Sequence, residues 1–358
     1  MPDATGPEAM SSAKSPLPPR SEPTHVDPAA GAAEGAETAE DGDSARWVED
    51  LGHGIHAIDT GFHRPRFDAA YLVVERGRAA FIDTGTNQSV PRLLAALAGA
   101  GLAPEAVDYV IATHVHLDHA GGAGLLLRHL PEARLVVHPR GARHLVDPSH
   151  LVRSATGVYG AAEIERSYGT LVGVDADRVV RSRDDTVIEL AGRPLRFLHT
   201  PGHAMHHHCI WDVRSEGFFT GDTFGISYRE FDTAGGPWIM PTTTPVQFQP
   251  EALRRSIERL LALRPRQMFL THYGPVGEVD RLGVLLLGQL DEMVALGRSL
   301  PAGPGRHVAL RDGLAALHGR RLRAHGVTLS DARITELLAL DLELNAQGIA
   351  VWLDRTAP

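Results

Sequence analysis

Up to about residue 46 the chain has almost no large apolar residues; from Trp47 onward, apolar runs alternate with polar breaks. Residues 54–60 (GIHAIDT), 69–75 (AAYLVVE) and 79–85 (AAFIDTG) are short apolar stretches bounded by Gly, Arg or Asp, as strands are. Residues 89–102 place apolar side chains at helical spacing and stop at glycine, and 107–113 (VDYVIAT) are strand-like again. The order recurs downstream. Strands are expected over 194–200, 207–213, 217–222 and 266–272, with an amphipathic helix opened by proline over 250–263. Two rounds of strands, helix and strand predict an α/β fold in which helices cover sheets. Beyond Pro275 the pattern turns helical, with helices expected over 280–299, 306–323 and 330–353. These are read as a C-terminal extension over 280–358, serving as a structural cap, a homodimer surface or a lid.

Composition changes this picture in three ways. Residues 1–46 hold nine Asp and Glu against Lys14, Arg20 and Arg46, a net of −6 out of −9, and are read as a disordered acidic tail. The remaining −3 lacks the basic field that tracks a phosphate backbone, so nucleic acid is not an expected partner. Lys14 is the single lysine of the sequence, which argues against Schiff-base chemistry or a phosphate-binding lysine loop in the folded part. Neither a membrane-spanning run nor a secretory leader is read from the sequence, and the single cysteine, Cys209, fits a reducing compartment. A cytoplasmic protein acting on a small molecule is therefore expected.

The chemistry concentrates at residues 113–123, THVHLDHAGGA. His114 and His116 follow a strand terminus, two residues apart and so on one side of an extended chain. Asp118 and His119 come where the chain turns helical, and Gly121 and Gly122 would let the backbone approach whatever is bound. One ion cannot readily use four such donors, whereas two adjacent ions can. His203, Asp222 and His272 each follow a later apolar run that ends in a turn. Seven donors at the mouth of a sheet suit a dinuclear site of imidazoles and carboxylates. The expected division gives His114, His116 and His203 to one ion and Asp118, His119 and His272 to the other, with Asp222 bridging.

With these motifs, HVHLDH, TPGHAMHH, TGDT and LTHYG in that order, the chain resembles the metallo-β-lactamase-fold hydrolases over roughly Gly52 to Pro275. The resemblance implies a four-layer αβ/βα sandwich, here residues 47–279 as catalytic domain, with the ions at the edge between two sheets. It implies two Zn2+ per chain, with Fe or Mn as other occupants, and a metal-bridging hydroxide that attacks an ester-type bond such as a lactone or thioester. Asp222 and His119 stand where antibiotic-hydrolysing members carry other residues, which points to the thioesterase and lactonase branches. A metal-containing binding or regulatory protein without turnover, and a mononuclear iron sulfur dioxygenase, are the alternative readings.

Around this set, Asp83 resembles the family's buried Asp that orients a ligand histidine, and His207 the second His of GHxxxH. His206 and His208 are not expected to ligate, and Cys209 is read as an inert buried thiol. Asp118 is assigned a catalytic part, orienting the attacking group and relaying its proton. Tyr228 is assigned a hydrogen bond to a developing oxyanion, with hydrophobic cover as the alternative. Phe62, His63, Arg64 and Arg66 are expected in a loop over the metals, the arginines pairing an anionic group, and Trp238 in a wall of the pocket, with ordinary hydrophobic cover as the alternative for Phe62 and Trp238 too.

Overall fold

The computed structural model describes residues 47–356, so the acidic tail expected over residues 1–46 lies outside the described residues. Among those described, two sheets form. The first takes seven strands in chain order: β1 (Val48–Asp50), β2 (Ile55–Asp59), β3 (Ala69–Glu75), β4 (Arg78–Ile82), β5 (Val107–Ala112), β6 (Arg134–Val137) and β7 (Val179–Arg181). Pairing is antiparallel through β4 and parallel from there on. The second takes β8 (Val187–Leu190), β9 (Arg193–His199), β10 (His208–Asp212), β11 (Gly217–Gly221), β12 (Gln267–Leu270) and β13 (Gly274–Val276), with β11 and β12 its parallel pair.

The helices are α1 (Val90–Gly99), α2 (Leu117–Ala120), α3 (Ala123–His129), α4 (Pro139–Val146), α5 (Ser149–Tyr159), α6 (Ala161–Ser167), α7 (Pro250–Leu261), α8 (Val279–Ser299), α9 (Arg306–Ala324), α10 (Asp331–Leu337) and α11 (Ala339–Thr356). Parallel neighbours need a crossover, and α1 and α7 supply it between β4 and β5 and between β11 and β12.

Strand alternation sorts the core into layers. Tyr71 and Leu72 point to opposite faces, as do Phe218 and Phe219. Tyr71, Ile111, Phe197, Phe219 and Phe269 meet between the sheets. Leu72, Phe81 and Val110 pack outward against Leu93 and Leu97 of α1 and Leu126 of α3. Leu198, Phe218 and Met268 pack outward against Leu253 and Ile257 of α7 and share one cluster with Leu286, Leu314 and Ile349 of α8, α9 and α11. The result is the expected αβ/βα sandwich with C-terminal helices. Ala69 N donates to Thr271 O (2.8 Å), Tyr71 Oη to Leu270 O (2.5 Å) and His208 N to Thr113 O (3.0 Å), stitching the sheets together at one edge. The end of β12 is thereby held to β3, and the end of β5 to β10.

The structure departs from the pattern in places. The helical stretch after His116 is two helices, α2 and α3, broken at Gly121 and Gly122. A Cβ on Gly122 would lie 2.6 Å from Thr86 O, so this close approach is to the chain's own backbone rather than to a ligand. The last predicted helix is also two, α10 and α11, parted at Leu338. No helix of the described residues is long and apolar enough to cross a membrane.

Candidate metal centre

All seven predicted donors meet at the stitched edge, five of them past a strand end or in a loop beside one and two, Asp118 and His119, on the short helix α2. His114 follows β5, Asp222 follows β11 and His272 follows β12, while His203 lies between β9 and β10. Gly221, with φ 46°, makes the turn that aims Asp222. A Cβ there would lie 2.6 Å from Thr113 Oγ1 and 2.7 Å from His207 Nε2, so only glycine fits.

The donors form two sets, His114, His116, His203 and Asp222, and Asp118, His119 and His272; within each, the ligand atoms lie within 4.8 Å of one another. In the first, His116 Nδ1 is 2.7 Å from His114 Nε2 and 3.2 Å from His203 Nε2, which is 3.2 Å from Asp222 Oδ2. In the second, Asp118 Oδ2 is 3.4 Å from His272 Nε2 and 3.7 Å from His119 Nε2. Asp222 turns its other oxygen, Oδ1, to the second set, 3.2 Å from His119 Nε2 and 3.7 Å from His272 Nε2.

These spacings fit a metal ion. Two nitrogens held tetrahedrally at about 2.0–2.1 Å from zinc are about 3.3 Å apart. His119 Nε2 and Asp222 Oδ1 are buried without a hydrogen-bond partner despite their proximity, and a cation is the group that would satisfy both. The ligand histidines are also oriented from behind. His119 Nδ1 meets Asp83 Oδ2 (2.8 Å), His272 Nδ1 donates to Phe67 O (2.9 Å), and His203 Nδ1 donates to Thr242 O (3.3 Å). Such contacts fix the tautomer that leaves the inward nitrogen free for metal.

Protonation divides the two sets. Burial first, and then neighbouring imidazoles, hold His114 far below its ordinary value and His116 down to about 3; burial lowers His203 too. All three are neutral ligands. Burial also disfavours charge on His272 and His119, but carboxylates outweigh it. Asp118 and Asp222 raise His272 to about 9, and Asp222, Asp118 and Asp83 raise His119 well above its usual value. Burial likewise opposes ionisation of Asp118 and Asp222, yet the adjacent histidines carry both below the usual carboxylate range.

Asp83 is the hub behind the site. Its carboxylate accepts from Thr113 N (2.8 Å), Thr113 Oγ1 (2.9 Å) and Thr271 Oγ1 (2.8 Å) besides meeting His119, tying the ends of β4, β5 and β12 together. His207 lies outside both donor sets. Its ring stacks on His114 at 4.8 Å, and its Nε2 accepts from Asp222 N at 3.2 Å. His206 packs on the His114 and His116 rings, and His208 pairs with Ser182 Oγ at 2.7 Å, so neither joins a donor set. Cys209 is buried, its thiol pushed up to about 12 by burial, and is inert.

The loop side chains end up elsewhere than expected. Arg64 pairs with Glu230 at 2.9 Å and lies over the rings of Tyr228 and Phe67, so its charge is met from within the chain. Trp238 is 1% exposed and packs on Phe231 and His318, which is the hydrophobic-cover reading rather than the pocket wall. Phe62 is buried against Tyr168, with His63 exposed beside it. Tyr228 is buried as well, and its hydroxyl donates to Asp341 of α11 at 3.1 and 3.2 Å. The phenol proton is engaged where Asp341 is ionised, and burial raises Asp341 to about 7, so the contact with the carboxyl itself varies with pH. Sequence reasoning missed Asp341 altogether.

Comparison with known proteins agrees with this geometry. The family model described as the metallo-beta-lactamase superfamily matches residues 63–272. Among relatives, the metallo-beta-lactamase fold-containing protein ST1585 of Sulfurisphaera tokodaii is 28% identical over 62% of this chain and 79% of its own. The hydroxyacylglutathione hydrolase of Salmonella typhi is 29% identical over 58% of this chain and 72% of its own. Among solved structures, the metallo-beta-lactamase family protein TTHA1429 of Thermus thermophilus superposes with a TM-score of 0.61 at 21% identity, covering 86% of this chain and 95% of that one.

Proposed function

Since the chain belongs to the metallo-beta-lactamase superfamily, we propose that it is a dinuclear metal-dependent hydrolase, zinc its natural occupant, that cleaves an ester-type bond in a small molecule. The observation that carries this reading is the shared carboxylate: Asp222 faces one donor set with Oδ2 and the other with Oδ1. His114, His116 and His203 would hold one ion, Asp118, His119 and His272 the other. When bound, such ions supply Lewis acidity and lower the pKa of water enough to provide hydroxide at neutral pH. The similarity to a hydroxyacylglutathione hydrolase supports a thioester as the substrate class.

The chain's own residues do the rest. The Asp118 side chain is 25% open, against 7% or less for Asp222, His119, His203 and His272. Ionised and partly open, it would orient the attacking water and relay its proton. Asp222, buried and ionised, offsets the mutual repulsion of two cations. Tyr228 is assigned to shaping the wall beside His272, where its ring stacks on Phe67 at 5.3 Å and the Phe67 ring meets the His272 ring edge-on at 5.3 Å.

Metal content per chain, followed by a hydrolysis panel of thioesters, lactones, simple esters and phosphodiesters on the same sample, tests this. Two equivalents of zinc, turnover on an acyl substrate, and loss of metal and turnover together in Asp222→Ala and His116→Ala are the expected results. Full activity in metal-free protein would refute the proposal. Stoichiometric metal with no rate above background would favour a binding protein instead, and one iron per chain would favour sulfur oxidation.

A further inference from the structure

The C-terminal helix α11 lies past His272, yet its inward face reaches both halves of the metal centre. Asp341 and Asn345 are four residues apart and therefore on one side of the helix, and both are buried. Asn345 Oδ1 accepts from Thr243 N (2.7 Å) and its Nδ2 donates to Pro241 O (3.3 Å). These bonds bracket residue 242, whose carbonyl receives His203 Nδ1. Gly348 completes the face. A Cβ there would lie 2.2 Å from Thr243 Oγ1 and 2.7 Å from Thr244 O, so the helix backbone sits directly on this segment. Asp341 accepts from Tyr228 Oη, and Tyr228 is tied to His272 twice over. Its ring stacks on Phe67, whose carbonyl receives His272 Nδ1, and its neighbour Ser227 donates its N–H to His272 O at 2.5 Å.

We infer that α11 is a working part of the metal centre: Asn345 is a positioning residue for His203, and Asp341 is one for His272. The inference rests on the metal-centre reading above. A buried amide with its acceptor and one donor engaged fixes a backbone segment more sharply than apolar packing does, because a shift of the segment leaves polar groups unpaired. Contacts that orient a ligand histidine from behind change metal affinity by roughly tenfold to a hundredfold when removed. Each residue of α11 here acts on a different donor set, so the two should be separable.

The test uses the full chain stripped of metal and titrated with Co2+ and Zn2+. Visible Co2+ bands report geometry, and chelator competition reports affinity. His116→Ala and His272→Ala assign the two sites. Asn345→Ala is expected to weaken the site containing His203 by about tenfold or more and to shift its Co2+ bands, leaving the His272 site near wild type. Asp341→Ala should do the reverse, and Asp341→Asn, which still accepts from Tyr228, should restore the His272 site. Ile349→Ala, buried on the same helix, is the control: it should lower the melting temperature and leave both spectra unchanged. If Asn345→Ala and Asp341→Ala act only as Ile349→Ala does, or leave both sites at wild-type affinity, the inference is wrong. Should Asn345→Ala fail to fold, the Asp341 pair decides. A wild-type chain that binds no metal would refute the underlying reading and this one with it, whereas normal binding unaffected by the variants refutes this one alone.

Discussion

The unequal protonation of the two donor sets makes metal binding a proton-counting experiment. In the metal-free chain near pH 6.5, His114, His116 and His203 are neutral, so loading their set displaces no ligand proton. His272, held at about 9, and His119, held well above its ordinary value, are imidazoliums under the same conditions. A cation entering their set must expel both protons, since a ligating imidazole has to be neutral. Below about pH 9 the affinity of that set should therefore rise by two log units per pH unit, or about 2.7 kcal/mol at ~1.36 kcal/mol per proton and pH unit. The other set should show a slope near zero. Titration calorimetry at pH 6.5, in buffers of different ionisation enthalpy, counts the protons released at each step. That pH lies below the value near 7 at which water on zinc ionises, so ligand protons dominate. About two protons for one equivalent and none for the other is the expected result. Equal counts, or an affinity that does not vary with pH at either set, would show that the carboxylate cage does not control His119 and His272.

Metal-free protein should also lose stability as pH rises above 6.5. His119 and His272 have raised folded values, so their contribution is complete below the ordinary histidine value and fades as pH climbs, for His272 through about 9; buried Asp68, raised by burial to about 8, acts in the same direction. Melting temperatures in chelator across that range check this, and the share of the slope due to His119 and His272 should vanish when metal is bound, leaving that of Asp68. Asp83→Ala strips the shared acceptor from Thr113, Thr271 and His119, and should cost about 3–5 kcal/mol in chemical denaturation and about tenfold or more in metal affinity. Far from the site, Arg193 pairs bidentately with buried Asp212 at 2.8 and 2.5 Å. Arg193→Leu should cost about 3–5 kcal/mol by leaving that carboxylate without its cation, and Arg193→Leu with Asp212→Leu should recover much of it. Burial opposes the charge on Asp212 but Arg193 and Ser215 overcome it; this stability is therefore present above the ordinary Asp value and lost as pH falls through the lowered folded one.

The donors could be read from sequence because of how they are delivered. A strand buried on both faces is a continuous apolar run, and a polar residue at its end stands at the sheet edge, so Asp83, His114, Asp222 and His272 are marked by where hydrophobicity stops. The four layers follow from the same runs. Strands β1, β6, β7 and β8 are not read from the pattern, because each has only three or four residues and β1, β7 and β8 are also partly exposed at sheet edges. What escaped altogether was everything whose meaning is tertiary. In ALDLELNAQG, Asp341 and Asn345 look like polar positions on an amphipathic helix, yet their partners lie 113 and 102 residues away, at Tyr228 and Thr243. Tyr228 stands out by its place after Asp222, but local sequence gives no hint that its hydroxyl faces Asp341. The site thus has an inner set announced by local pattern and an outer set built from side chains that local pattern assigns to packing. On the inference drawn above, changing Asn345 or Asp341 alters how a ligand is held without altering which ligand it is.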